Sequence, residues 1–168
     1  GIDDEIDVAG DLTLDISGDM TIDAGGGQLT IKDDNATHFL LDCDSTAFTI
    51  YDDTSSSDYL RLTVAANGAS TIATNDNDGA SGDLTLDVDG DIIFDADGGN
   101  WLFDDGGVSQ LQLTASSNDI YVTNPTNDKD IVFETHDNNV LTEVARFDGS
   151  ESSLRIAKDK QLQFYADT

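Results

Sequence analysis

The sequence predicts an all-β fold: an elongated repetitive β-structure of short strands and Gly/Asp turns, closed about an apolar seam as a trimeric β-helix or β-prism-like fibre. Three observations predict it. GDLTLD stands at Gly10–Asp15 and again at Gly82–Asp87, an offset of 72 residues. Within each copy runs a finer step of eight, carried by Gly10, Gly18 and Gly26 and by Gly82, Gly90 and Gly98. Between these glycines the apolar residues alternate with polar ones, the period of a strand with one apolar face. A unit this short cannot enclose its own core and must stack on neighbours or on other copies of the chain. A single-chain β-solenoid and a β-sandwich are the alternatives.

The first copy, 1–81, opens on Ile6 and Val8, followed by Leu12, Leu14 and Ile16, then Met20, Ile22 and Ala24, then Leu29 and Ile31. Ser17-Gly18-Asp19 is expected to turn with positive φ, and Gly25–Gly27 to form a looser corner. The second copy, 82–168, repeats the plan with Leu84, Leu86 and Val88, then Ile92, Phe94 and Ala96, then Trp101 and Phe103; Asp89-Gly90-Asp91 and Asp97–Gly99 supply its turns. Phe39 and Leu41 match Leu111 and Leu113, and Phe48 and Ile50 match Ile120 and Val122. Further strands are expected at Tyr59–Val64, Asp130–Phe133, Val140–Phe147, Ser153–Ile156 and Gln161–Tyr165. Exposed connections are expected at Asp52–Asp58, Asn75–Ser81, Asn124–Asp128 and Asp148–Ser152.

Each eight-residue rung offers two or three medium apolar side chains on one face, while ordering costs roughly 1–2 kcal/mol per residue of backbone entropy. Covering that face requires folding back or association, and three chains about an axis would do so. The seam is expected to comprise Leu12, Leu14, Ile16, Leu84, Leu86, Val88, Phe94, Trp101 and Phe103. Since the chain starts at Gly1 and the repeat is running by Ile6, it reads as a length of something longer.

Net charge is −28, from 35 acids against 7 bases, and only four of the acids are Glu. Asp and Gly disfavour helix, so no long helix is expected. Nucleic acid and anionic membrane surfaces are excluded as partners for want of Lys and Arg. No apolar run approaches a membrane-spanning helix. Cys43 is the sole cysteine, so no intrachain disulfide can form.

The Asp residues invite a metal reading. Asp7, Asp15 and Asp23 are eight apart, and stacked rungs would bring like charges together unless water or cations intervene. Asp87, Asp89 and Asp91, and likewise Asp76 and Asp78, imitate the start of a calcium loop. The required later Gly and Glu are missing, as are flanking helices, so Ca2+ or Mg2+ is a weak reading and a solvated acidic face the stronger one. No cofactor or catalytic residue emerges: His38 and His136 lack partners at ligand spacing, and no nucleophile or phosphate-loop motif occurs. Phe94, Trp101 and Phe103 form the densest aromatic cluster, read as core with sugar stacking as the alternative. Arg146, Arg155, Lys158 and Lys160 concentrate the basic charge near the C-terminal end, to pair with acidic loops of a neighbouring copy or of the next domain, or to stay solvated.

Runs such as GDLTLDVDGDIIFDADGGN, SSNDIYVTNPTNDKDIVF and LRIAKDKQLQFYADT resemble the repetitive tail-fibre and appendage proteins of tailed bacteriophages of the marine and cyanobacterial kind. The resemblance covers most of the chain and is strongest over Gly82–Phe133. It implies a virion location, a trimeric fibre bonded to itself and to other appendage proteins, and host attachment through a tip outside this chain, with a host-surface glycan as its target. It implies no catalytic residues. A Ca2+-dependent extracellular adhesin or carbohydrate-binding module, and a prokaryotic surface-filament subunit, are the competing expectations.

Overall fold

A computed structural model describes residue 6, residues 8–79 and residues 82–164. Asp7, Ser81 and Tyr165, which figure in the sequence expectations, lie outside the described residues. The chain divides into two units, Gly1–Asp87 and Val88–Thr168.

The first unit holds one antiparallel five-stranded meander: β1 (Gln28–Asp33), β2 (Ala36–Asp42), β3 (Ala47–Tyr51), β4 (Tyr59–Val64) and β5 (Ser70–Asn75), neighbours in that order. The second holds two three-stranded antiparallel sheets. One is β6 (Asn100–Asp105), β7 (Val108–Ser116) and β8 (Asp119–Thr123); the other is β9 (Ile131–Asp137), β10 (Val140–Asp148) and β11 (Ser153–Ile156), with β10 central. All-β is therefore right at the level of class. Among the described residues no sheet closes into a barrel, and within each unit extensive strand contacts are those of ladder neighbours. Eight-residue rungs do not stack as a single-chain solenoid, because every ladder is antiparallel.

The 72-residue offset reappears in the backbone. β1 and β6 start and end 72 residues apart, as do β3 and β8. Both first hairpins carry a bulge at the same place: the pair Ile31↔Phe39 is followed by Lys32↔Thr37, and Phe103↔Leu111 by Asp104↔Ser109. Arg61↔Ala73 in β4/β5 answers Phe133↔Ala145 in β9/β10. Two-residue turns with both residues left-handed close three hairpins of this set: Asp34-Asn35, Gly106-Gly107 and Asn138-Asn139. These are the turns whose twist matches a right-twisted ladder.

Besides the β4–β5 connection, Ala65–Ala69 where Asn138-Asn139 closes β9–β10, the copies part at two points. The β2–β3 loop runs Cys43–Thr46 and places Leu41 opposite Phe48, whereas the β7–β8 turn is Ser117-Asn118 and places Leu113 opposite Val122. The slide is two residues, so side chains keep their faces. The second difference is larger. In β4 Leu60, Leu62 and Val64 alternate with Arg61 and Thr63; at the matching place β9 opens on three consecutive apolar residues, Ile131, Val132 and Phe133, and carries Glu134 and His136 where β4 has Leu62 and Val64. Among the described residues the β3–β4 ladder has no counterpart between β8 and β9, and the sheet is split there.

The GDLTLD segments are the main correction. Residues 11–24 and 83–96 form no strand ladder among the described residues, although their alternation is the most regular in the chain. Gln161–Phe164 likewise forms no strand. Gly10, Gly18 and Gly90 sit in bends but without positive φ, and Gly82 and Gly98 also lie outside the left-handed region. The left-handed corner falls one residue past the last of the eight-step glycines, at Gly27 (φ 72°) and Gly99 (φ 67°). There the turn closes by Gly27 N–H to Ala24 O at 2.8 Å and Gly99 N–H to Ala96 O at 2.7 Å, and the same glycines' carbonyls accept from Cys43 and Ala115. A methyl at Gly99 would sit 2.7 Å from the Ala115 carbonyl oxygen, a fixed backbone atom, whereas at Gly27 it meets the movable Asp44 carboxylate at 2.8 Å. Gly99→Ala is thus expected to cost more than Gly27→Ala, roughly 1–3 kcal/mol in denaturant unfolding. Equal losses at the two positions would contradict the difference in surroundings.

Candidate functional site

A β-meander with one apolar face buries that face only if a second layer covers it. Rows can be read straight across the first sheet: Leu29–Leu41–Phe48–Leu62–Ile72, and beside it Ile31–Phe39–Ile50–Leu60. Phe39 and Phe48 stack at 6.4 Å between ring centroids. No layer within the unit covers these rows: Ile31 is 58% exposed and Ile72 60%. Burial is found on the opposite, polar face, where Ala47 and Thr49 are buried and Arg61 Nε donates to Thr49 Oγ1 at 3.1 Å.

In the second unit the row Trp101–Leu113–Val122 and the pair Phe103–Leu111 repeat this face. Phe94, Trp101, Phe103, Leu113 and Ile120 line an open groove of about 620 Å3, and the Trp101 indole N–H donates to the Phe94 carbonyl at 3.1 Å. Leu29, Ile31, Leu41 and Phe48, at the same repeat positions, line a groove of about 130 Å3 in the first unit. The split between β8 and β9 leaves a cleft into which Val122 of one sheet and Ile131, Phe147 and Leu154 of the other all face. Both sheets of the second unit thus present apolar side chains to one groove.

The predicted seam residues are thus brought into view rather than buried. Leu12, Leu14, Ile16, Leu84, Leu86, Val88, Phe94 and Phe103 are all exposed and Trp101 is half-buried, so they form no core within the single chain.

The acidic residues make turns and ion pairs. Asp42 Oδ1 accepts the amides of Ser45 and Asp44, and Asp52 Oδ1 accepts the Thr54 hydroxyl and amide; these bonds hold both carboxyls below the usual carboxylate range. Asp148, buried, accepts from Ser150 Oγ at 2.7 Å and the Glu151 amide, and pairs with Arg155 at 3.1 Å; its carboxyl is lowered chiefly by the Ser150 bond. Arg146 bridges Glu143 and Asp130, bonding the latter at 2.6 Å; this lowers the Glu143 carboxyl and raises the guanidinium. Arg146 and Arg155 therefore pair within their own sheet, a correction to the expectation of pairing with another copy. Sequence reasoning missed Asp130 and Asp148 because they are brought to the two arginines from neighbouring chain segments; Glu143, three residues before Arg146 on β10, is within reach of the sequence.

Asp87, Asp89, Asp91, Asp76 and Asp78 do not converge: among the described residues no group of three or more His, Cys, Asp or Glu could hold a metal ion. Asp76 Oδ1 accepts the Asp78 amide at 2.9 Å, a turn bond. His38 lies 3.7 Å from Asp53 and Cys43 is exposed on its loop. Among the described residues no helix is long and apolar enough to cross a membrane.

What the geometry defines is an all-β chain of repeated antiparallel meanders with uncovered apolar faces. Comparison with protein-family models, with curated proteins and with solved structures found no match.

Proposed function

We propose that this chain is a structural segment of a phage tail fibre or similar virion appendage, a stiff acidic β-shaft assembled from several copies, with a trimer about an apolar axis as the favoured form. The observation that carries the reading is the apolar face left bare in one chain and repeated 72 residues on. Exposed patches larger than a few hundred Å2 mark contact surfaces in soluble proteins, and here the surface has the repeat of the chain itself. The role is mechanical rather than catalytic. Other appendage proteins are its further partners, and host contact falls to a region outside this chain. Its dense negative charge keeps neighbouring shafts from adhering laterally.

Electron micrographs of the purified native assembly test this reading. Rods of one fixed length are expected; isolated compact particles, or filaments of indefinite length, would count against an appendage segment.

A further inference from the structure

We infer that copies of this chain meet through the apolar face formed by Leu29, Leu41 and Phe48 and its repeat at Trp101, Leu113 and Ile120, running parallel and in register so that each unit packs against its like. This rests on the self-associating shaft proposed above and adds which surface is used and in what alignment.

Four observations identify the occupant as a second copy. The face recurs at 72 residues with the same bulge and the same corner glycine. A partner covering both faces needs that same repeat, and this chain has it. The face crosses all five strands of the first sheet, with Leu29, Leu41, Leu62 and Ile72 exposed along it, a broad apolar patch of the kind that marks a contact surface. The apolar surface also continues across the break between β8 and β9, where Val122, Ile131, Phe147 and Leu154 share one groove. Finally, residues 11–24 and 83–96 carry the same alternation without a ladder of their own, leaving backbone able to pair with another chain.

The alignment follows from size and closure. The second unit lines a groove of about 620 Å3 with Phe94, Trp101 and Phe103; the first lines one of about 130 Å3 with Phe39 and Phe48, setting Leu29 and Ile31 where the second has Trp101 and Phe103. Like against like sets large side chains toward the large groove and small ones toward the small. An antiparallel pairing crosses them. A stagger of one repeat leaves a face bare at each end and propagates as an open filament.

The chain's single cysteine makes the alignment measurable. Cys43 and Ala115 occupy the same repeat position, each donating its amide to the corner glycine. Donor and acceptor dyes are placed on Cys43 in separate preparations, or on Ala115→Cys in a Cys43→Ser background, and the labelled chains are co-assembled. Energy transfer is expected to be more efficient in both like mixtures than in the mixture of one site with the other, and Trp101 emission is expected to shift to the blue on assembly. Transfer equal in all three mixtures or strongest between the mixed sites, or Trp101 emission unchanged by assembly, would overturn the inference while leaving a self-associating shaft. A single-chain mass in light scattering would overturn both.

Discussion

Replacing Leu41 and Leu113 by aspartate in one chain is expected to leave folded single copies in place of the assembly. Each leucine sits mid-row, between Leu29 and Phe48 in the first unit and between Trp101 and Val122 in the second. Neither is buried within the chain, so the ladders that hold each meander lose little. Burying a leucine stabilises by about 1.5–3 kcal/mol. Two per copy amount to roughly a thousandfold in association. The introduced carboxylates add a desolvation cost on top. The control is Thr71→Asp, on the opposite face of β5, where no comparable change is expected. Sedimentation of the two variants side by side reads the result. Equal loss of assembly in both would mean that added charge, not the apolar row, is responsible.

Salt is expected to have the second large effect, in a direction unlike that of most ion-paired interfaces. Bringing together chains of net charge −28 is opposed by repulsion that reaches about 30 Å at 0.01 M salt and about 8 Å at 0.15 M. The assembly should therefore tighten as sodium chloride rises across that range, by at least about tenfold in the concentration for half-assembly. Calcium or magnesium at matched ionic strength should do no more than sodium if the acids are a solvated face. Acid acts twice. Neutralising exposed aspartates weakens repulsion and favours assembly as the pH falls toward the carboxylate range. Asp42, Asp52, Glu143 and Asp148 have folded-state values below their ordinary ones. The stability they contribute is fully present above the ordinary carboxylate range and is lost as pH falls through the folded values. Assembly should thus peak near pH 4–5 or so and fail below it as the turns at Asp52 and Asp148 weaken. A monotonic rise in assembly down to pH 2 would show that these turn bonds contribute nothing.

Much of the fold is legible in the sequence wherever a strand finds its partner nearby. Tyr59–Val64 and Ser153–Ile156 are read at the bounds they have, and β10 runs one residue beyond the expected Val140–Phe147. Alternation flanked by Asn, Asp and Ser is enough there, because the neighbouring strand follows within a short loop. Leu12–Ile16 and Leu84–Val88 alternate more cleanly still, yet they form no ladder. Periodicity says which side chains share a face; it does not say what lies beside the backbone, and a lone strand has no stability of its own.

The candidate site is half legible for a related reason. Phe94, Trp101 and Phe103 stand out by type and spacing, and the structure gathers them about one groove. The rows across strands cannot be read, since register depends on whether a loop such as Cys43–Thr46 or a turn such as Ser117-Asn118 closes the hairpin. The split sheet leaves a fainter signal: β9 carries Glu134 and His136 where the aligned β4 carries Leu62 and Val64. Arg146 with Asp130, and Arg155 with Asp148, leave none, being contacts that only the folded ladder creates.

The central claim is that one chain is an incomplete fold whose apolar faces are buried between copies. Light scattering of the folded protein at micromolar concentration and moderate salt tests it most directly. A mass that is a small fixed multiple of 17.9 kDa, three being the favoured value, is the expected result; a stable, folded species of 17.9 kDa would contradict it.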